Sequence, residues 1–490
     1  VASIINSSDK LNQGRQKINA FMEEFNQTVI DGDSSVEAAQ ARVEADGTVN
    51  ATLQARLNKK DTELNKNTLD IKGRGINVMF PPIPLMPPAA DNIADDSEIF
   101  QAIINLGVKV IVPDGRYRIA NTVILGSLDF VGSGQNTIFD IDGCDGFKLS
   151  VSTGRKITEI HSFRVLSSRV NCDNFCAFTS EQHLTNRALG YNIHHIEIGG
   201  EGRFGAGFLF YDMFRLDISH VGLTGAMNAV MLVGQIVQAT LNAITSNLDV
   251  ATSVTTTING GKKCGLYVGG SSHNGVYQNP ESVKTRACGF VGHDYGIYQD
   301  DCLFGVYDAM DLDYCKKIGA FINSASGGYI LTDTWIAMDG AQVCYGIQIV
   351  TPNFDPHPIE VKDNHISFFS SVLPDSVGIF VSDASNAGRV NVKIKDNTIK
   401  APANTIKHGI LFNRTKQFQC SGNTVFPGCC TNEEIYMSWV EKFTCDKNIA
   451  SRLYVYSDAS YYECYGNHVD TYSLNGSSVK HFIKDGVIQA

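Results

Sequence analysis

The chain has 490 residues, a net charge of −11 and 43% hydrophobic residues. That length exceeds one compact core, and the acidic balance argues against nucleic-acid binding and requires a local basic patch for any polyanionic polymer. Gly is frequent at 45, Pro is scarce at 13 and only 19% of residues are charged, a profile of strands and tight turns.

The first predicted elements are thin helical stripes. Leu11, Ile18 and Phe25 fall seven apart, with Phe21, Met22 and Val29 on the same stripe. Ser34 and Glu37 form a capping-box pattern ahead of Val36 and Val43, and Asp46-Gly47 breaks that helix. Leu53, Leu57 and Leu64 mark a third stripe. Such stripes cannot build a core alone, so residues 1–75 are expected to pair with copies of themselves as a coiled-coil stem; a hairpin packed on the body is the other option. Five prolines between Phe80 and Pro88 predict a stiff extended neck.

The body opens with a helix. Asp96 or Ser97 can cap it, Ile99, Phe100, Ile103, Ile104 and Leu106 give it an apolar face, and Gly107 can end it. Val110 to Ile119, reading VIVPDGRYRI, then gives a strand, a Pro-Asp-Gly turn and a second strand. A helix placed there suits a plug over the open edge of a sheet stack.

Ile76 to Pro81, Asp91 to Ile104 and Val110 to Ile119 together resemble the opening module of pectate-lyase-superfamily β-helix proteins. The family's glycine in the acidic turn is missing around Asp91-Asn92. Ile5 to Asn19 and Gly32 to Thr48 are similar to the N-terminal helical region of tail and baseplate appendages in phages of Gram-positive bacteria. These resemblances cover roughly the first 140 residues. They imply a right-handed parallel β-helix and attachment to a virion through the stem. They say little of activity, since the superfamily includes lyases, hydrolases and pure binders.

Periodicity dominates the remainder of the chain. Gly265-Leu266, Gly296-Ile297, Gly319-Ala320, Gly346-Ile347, Gly378-Ile379 and Gly409-Ile410 recur at intervals of 31, 23, 27, 32 and 31. Asn364, Asn397, Asn423, Asn448 and Asn467 recur at 33, 26, 25 and 19, and Cys264, Cys288, Cys315 and Cys344 at 24, 27 and 29. A variable period of this size fits one coil of three short strands, with like residues stacked about 4.8 Å apart. The asparagines then predict a side-chain ladder in a tight turn, and the cysteines an interior ladder of small hydrophobes.

Neither membrane nor metal chemistry is suggested. Ala229 to Ile244, the most apolar stretch, is interrupted by Gly234, Gln235, Gln238 and Asn242. No signal-peptide layout opens the chain, so synthesis in the host cytoplasm is expected. The 13 cysteines show no zinc spacing, and His194-His195 are expected to face opposite sides of a strand. No cofactor is expected.

The densest polar-aromatic segment is Gly292 to Cys315. Asp294, Tyr298, Asp300, Asp301 and Asp311, with Trp335 and Asp339 from the next coil, are the candidate glycan contacts. Asp308 and Asp333 lie 25 apart, close to one coil, and would make a retaining-glycosidase pair if stacked roughly 5 Å apart. Counting back from Cys288 and Cys315 instead aligns Glu281 with Asp308. Solvated turn acids are the competing reading.

The expectation is therefore a mainly β chain: stem 1–75, neck and capping helix 76–107, parallel β-helix 108–465 and C-terminal cap 466–490. Its partners would be two further copies in a homotrimer, a phage tail, neck or baseplate protein, and a host surface glycan such as wall teichoic acid or capsule. Three subunits follow from the resemblance to tailspikes, not from the residues. Depolymerisation of that glycan by hydrolysis or elimination is the alternative to adsorption alone.

Overall fold

The computed structural model describes residues 75–475, apart from 83, 151–156, 182–187, 250–253, 274, 324–327, 351–357, 383–390, 416, 441 and 457–460, together with Ala20. The chain divides into Val1–Gly75 and Ile76–Ala490. The expected coiled-coil stem therefore lies outside the described residues.

Residues 76–475 form a long parallel β-helix. Nearly all strands join one 36-stranded array, and each pairs in parallel with a strand about one coil away. Tyr295–Asp300 lies between Cys264–Gly269 and Ile318–Asn323. Three strands make a coil and generate three sheets: sheet 1 contains Tyr295–Asp300, sheet 2 contains Phe304–Asp308 and sheet 3 contains Asp311–Cys315. Alternate residues point inward, so Leu266, Ile297, Ala320, Ile347, Ile379 and Ile410 form one buried column. That register is the one set by the Gly-apolar repeat. Each buried aliphatic side chain contributes about 1.5–3 kcal/mol relative to exposure.

The opening module folds as its pattern suggests, with one difference. Helix α1 (Ser97–Ile104) buries Phe100, Ile103 and Ile104, and the Phe100 ring packs 5.3 Å from Tyr117 and 5.4 Å from Phe139. Asp96 is the N-cap residue, but its carboxylate accepts from the Ala89 N–H instead of capping the helix. The preceding Asp95 accepts from the Ser97 N–H at 3.0 Å. The Gln101 side-chain amide accepts from Ile124 N–H at 2.8 Å and donates to Ile124 C=O at 3.3 Å. It occupies the edge of strand Val123–Leu125 as a surrogate strand, the protection that an open edge needs. In the neck, the Leu85 N–H donates to Pro82 C=O at 3.0 Å, so the proline segment contains a turn and is not one straight run.

The corner between sheets 2 and 3 is the tightest. One residue per coil has positive φ there: Ala287, Ala309, Asp333, Asp363, Asp396, Gly422, Lys447 and Gly466. The residue after each turns inward, and from Asn364 onward it is the expected asparagine. Asn364 donates to Asn397 Oδ1 at 2.9 Å, Asn397 to Asn423 at 3.0 Å, Asn423 to Asn448 at 3.0 Å and Asn448 to Asn467 at 2.9 Å. The second N–H of each amide goes to a backbone carbonyl, as from Asn397 to Val361 at 3.0 Å.

The cysteines are buried and free, apart from the half-buried Cys144, but the expected single ladder does not form. Cys264 begins a sheet 1 strand and Cys344 precedes one, while Cys315 ends a sheet 3 strand. Cys288 takes the corner site later held by asparagine. Loops of unequal length put residues at similar spacings into different columns. A stacked set does occur at Cys420, Cys445 and Cys464. The parallel stack runs on to strand His468–Asn475, inside the segment expected to be a cap, and residues 476–490 lie outside the described residues.

His293 is fully buried, with Nε2 3.0 Å from Ser246 Oγ and Nδ1 3.3 Å from Met227 O. Burial pushes its pKa down to about 4. The imidazole is neutral in the fold, so the unfolded chain takes up the proton first as pH falls. Its stabilisation is complete above pH 6.5 and is lost between 6.5 and about 4. The loss is on the order of 3 kcal/mol. Thermal melts at pH 7 and pH 4.5 should show this, and His293→Gln should flatten the dependence; an equally steep profile in that variant would refute it.

Candidate functional site

The register separates the candidate residues into three corners of the prism. Asp294 and Asp339 lie at the corner from sheet 3 to sheet 1, Tyr298 lies within its sheet 1 strand, and Asp311 and Trp335 open their sheet 3 strands next to the corner from sheet 2. Asp294 binds Lys317 Nζ at 2.9 Å, and Asp339 binds Lys316 Nζ at 3.2 Å. The Asp294 hydrogen bond holds the Lys317 ammonium above its ordinary range. The Ser371 hydroxyl, then Lys316, hold the Asp339 carboxyl below its usual range. Trp335 is 42% exposed and stacks on His365, with centroids 4.6 Å apart and planes 9° apart. One coil earlier, Asp311 sits directly beside Trp335. Desolvation, and then the neighbouring Asp313 charge, raise the Asp311 carboxyl above its usual range. Tyr314 and Phe369 stack nearby at 5.4 Å and are both exposed.

At the corner from sheet 1 to sheet 2 lie Asp300, Asp301 and Glu281. Asn323 donates to Asp300 Oδ1 at 2.7 Å, and Asn279 donates to Asp301 Oδ1 at 3.3 Å. Asp301 and Glu281 both border Cys302, whose thiol is pushed up to about 12 by burial first and by these charges after it. An antiparallel hairpin, Ser271–His273 with Val276–Gln278, projects here and exposes Val276 and Tyr277. The Tyr277 hydroxyl is pushed up to about 12 by burial and by Asp301.

The proposed catalytic stack does not form. Asp308 pairs with Thr332, not with Asp333, and its neighbour in the preceding coil is Arg286, not Glu281. Arg286 Nε lies 3.6 Å from Asp308 Oδ2. Asp333 is an exposed corner residue with φ 50°, one position out of register, and accepts from the Thr332 hydroxyl at 3.2 Å. No two of Glu281, Asp308 and Asp333 share a column.

Tyr298 has two stacking partners that were not singled out from the sequence, Tyr267 and Phe321. Tyr267, Tyr298 and Phe321 form one outward stack with centroid spacings of 5.7 and 4.6 Å. Burial, then the Asp300 charge, raise the Tyr298 hydroxyl. These three residues each follow a glycine of the repeat by two, so the spacing already encoded the stack. The glycine column also places Gln348, Phe380 and Leu411 on the same line.

His194 and His195 do not face opposite sides. His195 has φ 53°, which turns both rings outward, with the Nδ1 atoms 2.7 Å apart. His161 stacks on His194 at 4.5 Å and His220 on His195 at 5.0 Å. The rings stack instead of converging, and among the described residues no group of three or more His, Cys, Asp or Glu is placed to hold a metal ion. Among those residues, too, no helix is long and apolar enough to cross a membrane.

No family model matches the chain. Over 79 residues, 16% of its length, it is 36% identical to the tail spike protein of Shigella phage Sf6, and the match spans 13% of that protein. A double mutant of the tailspike protein of E. coli bacteriophage HK620 aligns with 84% of the chain and 80% of its own length, at a TM-score of 0.54 and 9% identity. The first is a local likeness in sequence to a phage tail spike; the second is a likeness in fold.

Proposed function

We propose that the chain is a subunit of a phage tail spike that adsorbs to a host surface glycan along the outer face of sheet 3. The observation carrying this reading is the exposed Trp335–His365 stack at the start of sheet 3, with the Lys316–Asp339 pair at the far end of the same sheet. An aromatic edge excludes water from a sugar ring, while the carboxylates accept from its hydroxyls and the lysines donate to them. The local likeness to a phage tail spike supports the virion assignment.

The finer features follow from this reading. Residues 1–75 form the stem that attaches to a tail, neck or baseplate protein. The β-helix is right-handed, as nearly all parallel crossovers are. Three copies associate, and the apolar outer line of sheet 1, including Phe321, Phe380 and Leu411, is covered by neighbouring subunits. In binding assays of the full chain on host wall or capsule polysaccharide, Trp335→Ala should weaken affinity about tenfold or more with an unchanged circular dichroism spectrum. Wild-type affinity in that variant would sink the assignment of the site.

Depolymerisation is the second reading, favoured by the raised carboxyl of Asp311. Asp311 and Asp313 both face outward from one strand, about 6.6 Å apart along it. That is close to the lower bound for an inverting glycosidase pair. Asp311 would donate the proton and Asp313 activate water. Release of oligosaccharides by the wild type but not by Asp311→Asn would support cleavage; binding with no product would leave adsorption alone.

A further inference from the structure

Trp439 stands at the corner between strand Ile435–Ser438 of sheet 1 and strand Lys442–Asp446 of sheet 2. Its φ is 55° and it is 56% exposed. Left-handed backbone is unfavourable for a bulky side chain, and a glycine or asparagine would take this turn more easily. Exposure of a large indole is unfavourable as well. Neither the turn nor the core therefore explains a tryptophan here, which makes the residue a functional candidate.

Its surroundings fix it in place. The Trp439 N–H donates to Tyr456 C=O at 2.9 Å, and the two rings meet edge to face at 5.5 Å and 78°. Tyr456 is itself exposed. One coil earlier, exposed Arg414 holds the same corner with φ 57°, and its N–H donates to Ser438 C=O at 2.9 Å. The Ser438 hydroxyl donates to Asn413 Oδ1 at 3.2 Å. An accessible indole with a guanidinium, a hydroxyl and an amide around it matches a sugar ring, whose C–H face stacks on the indole while its hydroxyls take hydrogen bonds.

We propose that Trp439, Tyr456, Arg414 and Asn413 form a second glycan subsite that takes one pyranose residue. The inference rests on the tail-spike reading and extends it. The subsite lies four coils beyond Trp335, roughly 19 Å along the axis, on another corner of the prism. Two subsites on one chain raise the effective concentration of a polymer that engages both.

The test uses the full chain. Arrayed bacterial wall and capsule polysaccharides are screened, and a bound polysaccharide is titrated against Trp335→Phe, in which indole emission reports Trp439. A saturable shift is expected, and Trp439→Gly should weaken binding about tenfold while melting at or above the wild-type temperature, because glycine relaxes the turn. Equal affinity in Trp439→Gly would overturn the subsite and leave the tail-spike reading intact. A fall in oligomeric mass in that variant would overturn it too, since the patch would then be a subunit contact. If the wild type binds none of the arrayed polysaccharides, the glycan reading itself fails.

Discussion

Gly346→Val is expected to leave the β-helix unable to fold. A Cβ at Gly346 would lie 2.5 Å from Ile366 Cγ2 and 2.6 Å from the carbonyl oxygen of Gly378. The glycines above and below repeat the contact: a Cβ at Gly319 would lie 2.5 Å from Gly346 O, and one at Gly378 would lie 2.4 Å from Gly409 O. Backbone of the next coil cannot yield as a flexible side chain does, because moving it breaks the parallel pairing on both sides. Overpacking a rigid site costs about 1–3 kcal/mol for a modest insertion, the range expected for Gly346→Ala. Valine adds two more methyls to the same space and should exceed that range. Each coil touches only its neighbours, so the defect also separates the coils before it from those after it. Soluble yield and the strand signal in circular dichroism measure the outcome. Gly126→Ala is the matched control, with nothing within 4 Å of its Cβ position, and should behave as wild type. A wild-type melt for Gly346→Val would refute the column.

Asn397→Asp should destabilise the stack strongly, and more at neutral than at acid pH. Asn397 Oδ1 accepts from the N–H and side chain of Asn364, and its amide nitrogen donates to Val361 C=O and Asn423 Oδ1. Aspartate keeps the first pair and points an acceptor at two acceptors. Each buried group left unpaired costs about 1–3 kcal/mol, and a charged one more. A proton on the new carboxyl would restore one donor, so its folded pKa must rise above the unfolded value near 3.9. Stability is then retained below about pH 4 and lost as pH rises through the folded value. Denaturant melts at pH 5 and pH 7.5 should show a smaller deficit relative to wild type at pH 5. A deficit independent of pH would refute the donor requirement.

Much of this architecture was legible in the residues because the coil repeats it. The Gly-apolar pairs are true vertical neighbours, and the asparagines form the anticipated ladder. Counting failed at Asp308 and Asp333, whose 25-residue spacing is one more than the 24 that separates Asp308 from its partner Thr332. One residue of slip moves a side chain to the other face, and here it moves Asp333 onto a corner. The cysteine count failed for a related reason, since coils of unequal length bring equal spacings to different sides. Positive φ at His195 and Trp439 left no trace in the spacing, because no glycine marks either turn.

The three edges of the prism therefore differ in how freely they can diversify. From Asn364 to Asn467 the asparagine edge ties each coil to the next through completely satisfied amides, and an insertion there would break several bonds at once. The other two edges already carry segments of unequal length, from the two residues 316–317 of one coil to the projecting hairpin of another. Mutation and recombination could exchange these segments without disturbing the stack beneath them. If the chain is a tail spike as proposed, a lineage bearing this fold could thus change its range of hosts on two sides while its third side stays fixed.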